Sequence, residues 1–463
     1  MQIREAIYRL VKMRRVAHTT LNPYGPGVVR IHLIPPKFDL RKKTPSVAII
    51  NGQDIIPIKP AWAILLNAFI EEINKYKGNE ITSEELGKIV SKAMKVVRKI
   101  YPSTNIAQMK SDLWRIITSL CDVAYGEKPL EDIGYMTLGE YAPHMTAPHR
   151  IDLMVSSMTK NGVWQCNQKC LHCYAAGQEQ AEVQELSTNE WKKVIDKCKK
   201  IGIPQLTFTG GEPTMRNDID ELIGYAKWFV TRLNTNGLRL TPELCKRLYE
   251  ASLDSVQVTF YSSVQEEHNL LVGAHDNSMC FTRTVSGIQN ALNAGLNVSV
   301  NTPLCKINAN YLNTLQFLHK LNVKYVSCSG LIVTGNACNQ KSRNTQLSEE
   351  ELYDILKSAT EYCAEHQMEI SFTSPGWVKQ EKLIELGLTV PTCGACLSNM
   401  AIAPNGNVVP CQSWLSNDGI LGNILLNPWN EIWDSKTCKE IRTFSSLMEC
   451  KCPLRDKDEE NEE

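Results

Sequence analysis

Three cysteines, Cys166, Cys170 and Cys173, stand in a C-x3-C-x2-C pattern. Thiolates at this spacing on one tight loop can hold three irons of a [4Fe–4S] cluster and leave the fourth iron without a protein ligand, open to a small molecule. A structural zinc site asks for four ligands, usually as two separated C-x2-C-like pairs. His172 lies inside the loop and would serve as a fourth zinc ligand, so zinc stands as the alternative. Further along comes Gly210-Gly211-Glu212-Pro213. Two glycines let a ligand approach the backbone closely, and Glu212 can pair with an ammonium group. Taken alone, this tetrapeptide also reads as an ordinary turn.

A second group of cysteines lies near the C-terminus. Cys393 and Cys396 precede Gly406 and Cys411, so the segment reads C-x2-C-x9-G-x4-C, and Cys438, Cys450 and Cys452 follow. This spacing fits a second cluster, and a zinc ribbon is its alternative. The chain has 17 cysteines in all. In a reducing compartment such clusters point to metal or catalysis and not to disulfides. The scattered ones, Cys121, Cys198, Cys245, Cys280, Cys305, Cys328, Cys338 and Cys363, read as small buried hydrophobes.

The elements that must position these residues divide the 463-residue chain into three parts and a tail. In the first, 1–140, strand-like runs at 28–34, 46–50 and 55–58 surround the hairpin signal Asn51-Gly52. Helical patterns follow at 59–77, 84–100 and 106–125, the second with Glu85 placed for a capping box. This pattern predicts a winged-helix-like α+β module. The second part, 148–340, alternates strands (151–156, 205–209, 231–235, 255–260, 298–302, 324–329) with helices (187–201, 218–229, 242–250, 280–294, 311–321). Repeated β-then-α units imply a parallel sheet with right-handed crossovers, here a partial (β/α)6 barrel of TIM type whose functional loops follow the strands. The third, 345–454, is mixed, with a helix at 348–367, a hairpin about Asn405-Gly406 and a helix pair at 429–434 and 437–444. The tail, 455–463, is charged and reads as disordered.

Composition narrows the partners. Lys+Arg and Asp+Glu are both 50, and no basic stripe for nucleic acid is visible. No apolar run has the length of a membrane span. The N-terminus lacks a signal peptide's apolar core, so a cytoplasmic protein is the expectation.

The C-x3-C-x-aromatic-C loop followed by GGEP on a β/α partial barrel resembles the radical S-adenosylmethionine (radical SAM) superfamily. The resemblance covers about 148–340. It implies that Cys166, Cys170 and Cys173 ligate the cluster, that Gly210, Gly211 and Glu212 hold the methionine amino group, and that His172 contacts adenine. It assigns Thr259, on the fourth strand, to the ribose. It further implies a reduced cluster that splits S-adenosylmethionine to a 5′-deoxyadenosyl radical, with a low-potential donor of flavodoxin or ferredoxin type. No catalytic side chain beyond these is identified. The segment from Cys393 to Trp433 resembles the SPASM/Twitch extension of radical enzymes. It departs from full SPASM members by lacking their C-x2-C-x5-C-x3-C block, which implies one auxiliary cluster held by Cys393, Cys396 and Cys411, with Cys450 or Cys452 as the fourth ligand. Cys438, inside an expected helix, is the weakest ligand.

The hairpin and three helices of the first part resemble the peptide-recognition element of ribosomal peptide maturation, which adds a leader peptide as a strand to its sheet edge. Together these resemblances imply a peptide maturase that binds its precursor through the leader and forms a thioether or carbon–carbon cross-link. Epimerisation is a further outcome, for which Cys305, Cys328 or Cys338 would be the thiol donor. Two rivals remain: a radical SAM enzyme acting on a small molecule in cofactor biosynthesis, and a non-enzymatic zinc protein that binds peptides.

Overall fold

The computed structural model describes residues 2–21, 28–36, 45–76, 81–274 and 279–455. They form two compact units. One is Met1–His149 with Asp196–Gln205 and Trp228–Val230; the other is Arg150–Ile195, Leu206–Lys227 and Thr231–Glu463.

The first unit opens with helix α1 (Gln2–Lys12) and strand β1 (Ala17–Leu21), neither of which the sequence reading delimited. Strands β2 (Val29–Ile34), β3 (Ser46–Ile50) and β4 (Asp54–Ile58) follow, giving an antiparallel sheet in the order β1-β2-β3-β4. Asn51 and Gly52 turn the β3–β4 hairpin with φ of 48° and 73°, as the mirror-image hairpin turn requires. Helices α2 (Pro60–Ile73), α3 (Ser83–Arg98) and α4 (Ile106–Ala124) come next. Pro60 starts α2, where its missing N–H costs nothing. Thr82 and Glu85 close the expected capping box on α3. The three helices and the sheet share one apolar core containing Ile31, Ile50, Ile56, Leu66, Leu113 and Leu120. The expected helix at 59–77 ends at Ile73, and residue 77 lies outside the described residues. A short helix, α5 (Leu138–Tyr141), ends this unit's N-terminal stretch.

From Arg150 onward the chain alternates strands and helices: β5 (Arg150–Ser156), a small hairpin β6 (Thr159–Lys160) and β7 (Val163–Trp164), α6 (Thr188–Ile201), β8 (Gln205–Gly210), α7 (Ile219–Tyr225), β9 (Val230–Thr235), α8 (Pro242–Glu250), β10 (Ser255–Thr259), α9 (Gln265–Leu271), α10 (Cys280–Asn293), β11 (Val298–Pro303), α11 (Tyr311–Lys320) and β12 (Tyr325–Ser329). The six expected strands lie side by side in chain order, β12-β11-β10-β9-β8-β5. Sequential neighbours mark a β/α barrel and not a doubly wound sheet, which would reverse its order. The helix expected over 218–229 is shorter. It stops at Tyr225, and Phe229 is instead fully buried.

The sheet extends past both expected edges. After α12 (Gln340–Arg343) and α13 (Glu349–Glu365), strand β13 (Glu369–Phe372) pairs in parallel with β12. After α14 (Gln380–Glu385), strand β14 (Asn399–Ile402) pairs in parallel with β5, so the C-terminal part continues the same sheet. Strands β15 (Asn407–Val409) and β16 (Gly422–Asn423) add antiparallel, and helices α15 (Trp429–Trp433) and α16 (Lys436–Ser446) finish the unit. Arg455, the first residue of the expected tail, is among the described residues. Its guanidinium lies 4.5 Å from the centre of the Trp377 ring. The rest of the expected tail, 456–463, lies outside the described residues. No described helix is long and apolar enough to cross a membrane.

Candidate active site

The cysteine loop follows β5, the first barrel strand, and is pinned by backbone bonds from two sides. On one side Lys169 N donates to Val272 O at 3.1 Å and Leu171 N to Leu271 O at 2.9 Å, tying the loop to the end of α9. On the other, Asn336 donates from its backbone N to Cys173 O at 2.9 Å and from Nδ2 to Cys170 O at 3.2 Å. Ser342 Oγ donates to Leu171 O at 3.0 Å. The loop is therefore held from segments distant in sequence, which no local pattern reveals.

Gly210-Gly211-Glu212 ends β8, the strand beside β5. Gly210 has φ of +139°, and a Cβ there would stand 2.3 Å from Ser156 O. A Cβ on Gly211 would stand 2.9 Å from Ser157 O. The two glycines thus serve close approach of the turn to the end of β5. That approach brings Cys166 Sγ to 3.4 Å from Gly211 O.

Glu212 is 1% exposed. Its Oε1 accepts from Thr214 N at 3.0 Å, Thr214 Oγ1 at 2.5 Å and Thr235 Oγ1 at 2.6 Å, and its Oε2 from Asn236 N at 2.8 Å. Oε2 keeps acceptor capacity for a further donor. Burial raises the carboxyl pKa, and these four bonds oppose that shift. Asn236 also donates from Nδ2 to Asn167 Oδ1 at 2.6 Å, which joins the end of β9 to the cysteine loop. Ser156, Thr235 and Asn236 escaped the sequence reading, although Asn236-Gly237 is a turn dipeptide at a strand's C-terminal end. Arg216 also escaped. Only 9% of its side chain is exposed, and it joins Asp218 (2.8 Å), Glu185 (3.4 Å) and Val155 O (3.1 Å).

The three thiols are half-buried. Burial pushes Cys166 up to about 12, with nearby Glu212 adding to the shift. Burial first, and then the other two thiols, raise Cys170 well above its ordinary value, and burial raises Cys173. Thiols so placed ionise only if a cation neutralises them, and an iron–sulfur core supplies that charge. Among the described residues, no three His, Cys, Asp or Glu side chains come close enough to share a single metal ion. His172 Nε2 is paired with Thr345 Oγ1 at 2.8 Å, and burial lowers its pKa to about 4, so the ring is neutral.

Thr259 ends β10 opposite Asn301 of β11. It belongs to a polar strip that the period-2 alternation of burial sets on one face. Arg232 and Asn234 on β9, Ser255, Gln257 and Thr259 on β10, and Ser299 and Asn301 on β11 are half-exposed, while their neighbours are buried. Cross-strand register puts Gln257 beside Asn234 and Ser299. Ser327 Oγ donates to Asn301 Oδ1 at 2.9 Å.

The C-terminal cysteines gather around Cys411. Burial pushes its thiol up to about 12, and Cys393 and Cys452 lie near enough to add to that shift. Cys411 is likewise felt by Cys396. Cys450 points elsewhere, its sulfur accepting from Gly376 N at 3.5 Å and donating to Val378 O at 3.8 Å. It lines a cavity of about 630 Å³ with Trp377, Lys379, Glu349 and Arg455. Cys438 lies on α16 as expected, yet it is hydrogen-bonded to Cys396, and Arg442 Nη1 donates to its sulfur at 3.4 Å. The Cys396 thiol and the Arg442 guanidinium favour the Cys438 thiolate. Cys305 and Cys328 are buried, and Cys338 is half-buried.

Comparison with known proteins agrees with this geometry. Residues 165–318 match the radical SAM superfamily, and residues 393–453 match the SPASM iron–sulfur cluster-binding domain. The AdoMet-dependent heme synthase of Methanosarcina barkeri is 28% identical over 287 residues, 58% of this chain and 79% of the relative. The Fe-coproporphyrin III synthase of the same organism is 31% identical over 200 residues, 42% of this chain and 48% of the relative. Among solved structures, Streptococcus suis SuiB bound to precursor peptide SuiA aligns with TM-score 0.58 at 14% identity, covering 86% of this chain and 88% of SuiB. AnSMEcpe with bound AdoMet aligns with TM-score 0.51 at 16% identity, covering 65% of this chain and 83% of the other. The cysteine loop, the glycine–glutamate turn and the C-terminal cysteines therefore belong to a radical SAM enzyme: the chain carries a radical SAM domain, with its [4Fe–4S] cluster and S-adenosylmethionine, followed by a SPASM domain with auxiliary iron–sulfur.

Proposed function

We propose that this enzyme modifies a ribosomally made peptide, which it binds through the peptide's leader. The observation that carries this reading is the extent of the fold likeness. Alignment with SuiB covers 86% of the chain, more than residues 150–463 alone supply, so it reaches into the N-terminal sheet-and-helix unit. SuiB was crystallised with a precursor peptide. A four-stranded sheet with edge strands is also the architecture that accepts an extended peptide by strand addition.

Within the second unit we assign Cys166, Cys170 and Cys173 to the S-adenosylmethionine cluster and Cys393, Cys396, Cys411 and Cys452 to the auxiliary one. Bound together, the first cluster and S-adenosylmethionine supply a 5′-deoxyadenosyl radical that abstracts hydrogen from the substrate. The chain's own residues orient and enclose. Glu212 Oε2 accepts from the methionine ammonium, and the backbone of Gly210 and Gly211 lies against the same group. His172 borders adenine, Thr259 reaches the ribose, and the polar strip of β9–β11 lines the approach. A low-potential donor of flavodoxin or ferredoxin type supplies the electron. The bond formed is a thioether or carbon–carbon cross-link.

A second reading rests on the relatives named for haem and Fe-coproporphyrin III synthesis, which point to a tetrapyrrole substrate. One experiment separates the two. Protein reconstituted without oxygen is reduced with dithionite in S-adenosylmethionine. It then receives either the short peptides encoded beside its gene or Fe-coproporphyrin III, and 5′-deoxyadenosine and substrate mass are followed. The peptide reading expects deoxyadenosine release stimulated by one peptide, which loses two hydrogens. Stimulation by Fe-coproporphyrin III alone overturns it.

A further inference from the structure

The first unit leaves two sheet edges, β1 and β4. In an antiparallel pair alternate residues turn their N–H and C=O groups outward. On β4 the outward pair is Ile55 and Pro57, because Ile55 O faces away from β3 and accepts from Met136 N at 2.9 Å. Pro57 has no N–H to offer. The β4 edge is thus already engaged by a segment of the same chain, the stretch between α4 and α5.

That segment behaves as a bound peptide would. Leu130 N donates to Asp122 Oδ2 at 3.2 Å, and Glu131 N donates to the Ser119 hydroxyl, itself only 1% exposed, at 3.2 Å. The Glu131 carboxylate pairs with Arg115 Nε at 2.6 Å. Two residues on, Ile133 packs against the unit's apolar core. A Cβ on Gly134 would meet Pro57 Cγ at an ordinary 3.7 Å. Glu131 and Ile133 are turned in and Asp132 out, about a tight turn in which Ile133 N donates to Glu131 O at 2.9 Å. Leu130 and Tyr135 remain 69% and 54% exposed, so the segment is laid on the surface and not threaded through it.

We propose that residues 128–137 are a resident occupant of the β4 edge and the α4 face, and that an incoming peptide strand must displace them. The partner this surface fits is a peptide carrying an acidic residue, an aliphatic residue two positions on and a further apolar residue three beyond that, matching Glu131, Ile133 and Met136. Arg115 reads the acid, the core recess reads the aliphatic side chain, and Ile55 O takes a backbone N–H. This inference rests on the peptide reading above, but it is tested without turnover.

The test compares the full-length wild type with a protein whose residues 128–136 are replaced by an equal length of Gly and Ser. The probe is a fluorescein-labelled synthetic peptide of residues 128–137, followed by anisotropy. The replaced protein is expected to bind the probe at least tenfold more tightly than wild type, and Arg115→Met in that background to weaken binding about tenfold. Should the replacement unfold the unit, Met136→Pro, which removes the donor to Ile55 O, is expected to raise probe affinity in an otherwise intact chain. Equal affinity in wild type and variants overturns the inference, as does absence of binding to a variant whose circular dichroism matches wild type. Neither result touches the deoxyadenosine assay, so failure here is distinguishable from failure of the peptide reading.

Discussion

The Cys166 sulfur lies 3.4 Å from the carbonyl oxygen of Gly211, across 45 residues of sequence. This contact is what makes one site of two motifs. The cysteine loop follows β5 and the glycine–glutamate turn ends β8, and these strands are neighbours in the sheet. On the assignment proposed above, a cofactor held at the cysteine loop would be within reach of the groups on the turn.

The first prediction concerns the closeness itself. Gly210 adopts φ of +139°, and its missing Cβ leaves room for Ser156 O at 2.3 Å. Backbone in that region costs a side-chain-bearing residue on the order of 1–3 kcal/mol before any clash. Gly210→Ala is expected to lower iron content and abolish S-adenosylmethionine binding. Gly211→Ala, whose Cβ would meet Ser157 O at 2.9 Å, should be milder. Iron analysis and equilibrium dialysis with labelled cofactor check both. Wild-type binding by Gly210→Ala would refute the role of the close approach.

The second concerns the bonds that fix Glu212. Thr235 Oγ1 donates to its buried carboxylate at 2.6 Å. Hydrogen bonds to charged groups contribute roughly 1.5–3 kcal/mol. Thr235→Val keeps shape and removes the donor, so a stability loss of about that size is expected in denaturant unfolding, with weaker cofactor binding. Thr235→Ser should restore both. Equal stability of the Val and Ser variants would show that the bond does not matter.

How much of this was legible in sequence depends on the range of the signal. The cysteine loop and GGEP are local, so their spacing singles them out in sequence, although each alone left an alternative open. Ser156, Thr235 and Asn236 act across β5, β8 and β9, so their meaning appears only once strand adjacency is known. The six barrel strands stand out as apolar runs between turn signals. β1, with His18, Thr19 and Thr20 at its centre, and β13, a four-residue strand opening on Glu369, carry too little apolar pattern to be found. Cys438, inside an expected helix, read as the weakest ligand because nothing local reports that Cys396 and Arg442 converge on it. The strap on β4 was equally invisible, since 128–137 has the composition of an ordinary linker.

Acid stability provides a third prediction. His149 is buried, its Nε2 has no hydrogen-bond partner, and burial lowers its pKa to about 4. The unfolded chain protonates this ring near pH 6.5, so the unfolded state binds more protons between about pH 6.5 and 4. Its contribution to stability is complete above that window and is lost as pH falls through it, up to about 3 kcal/mol. His268, also lowered to about 4 by burial, adds a loss of the same sign. His149→Phe, which retains the ring beside Tyr141, is expected to lose less stability than wild type between pH 7 and pH 4.5 in thermal unfolding. An unchanged slope would mean that the ring titrates normally.

The auxiliary cluster gives the sharpest division among neighbouring residues. Cys450 and Cys452 are separated by one residue, and Cys452 lies near enough to Cys411 to raise its pKa. The Cys450 sulfur is engaged by Gly376 N and Val378 O at the wall of a cavity. If four thiolates around Cys411 hold one [4Fe–4S] cluster, anaerobically reconstituted wild type binds about eight irons per chain with the cluster at Cys166, Cys170 and Cys173. Cys411→Ser and Cys452→Ser should each retain about four, as one whole cluster is lost. Cys450→Ser should retain about eight, because the sulfur it removes is engaged by Gly376 N and Val378 O. Iron and sulfide analysis, with the electron paramagnetic resonance of the reduced proteins, reads this directly. Loss of iron in Cys450→Ser with retention in Cys452→Ser would exchange the two ligands and require the 449–452 segment to turn over when the cluster binds.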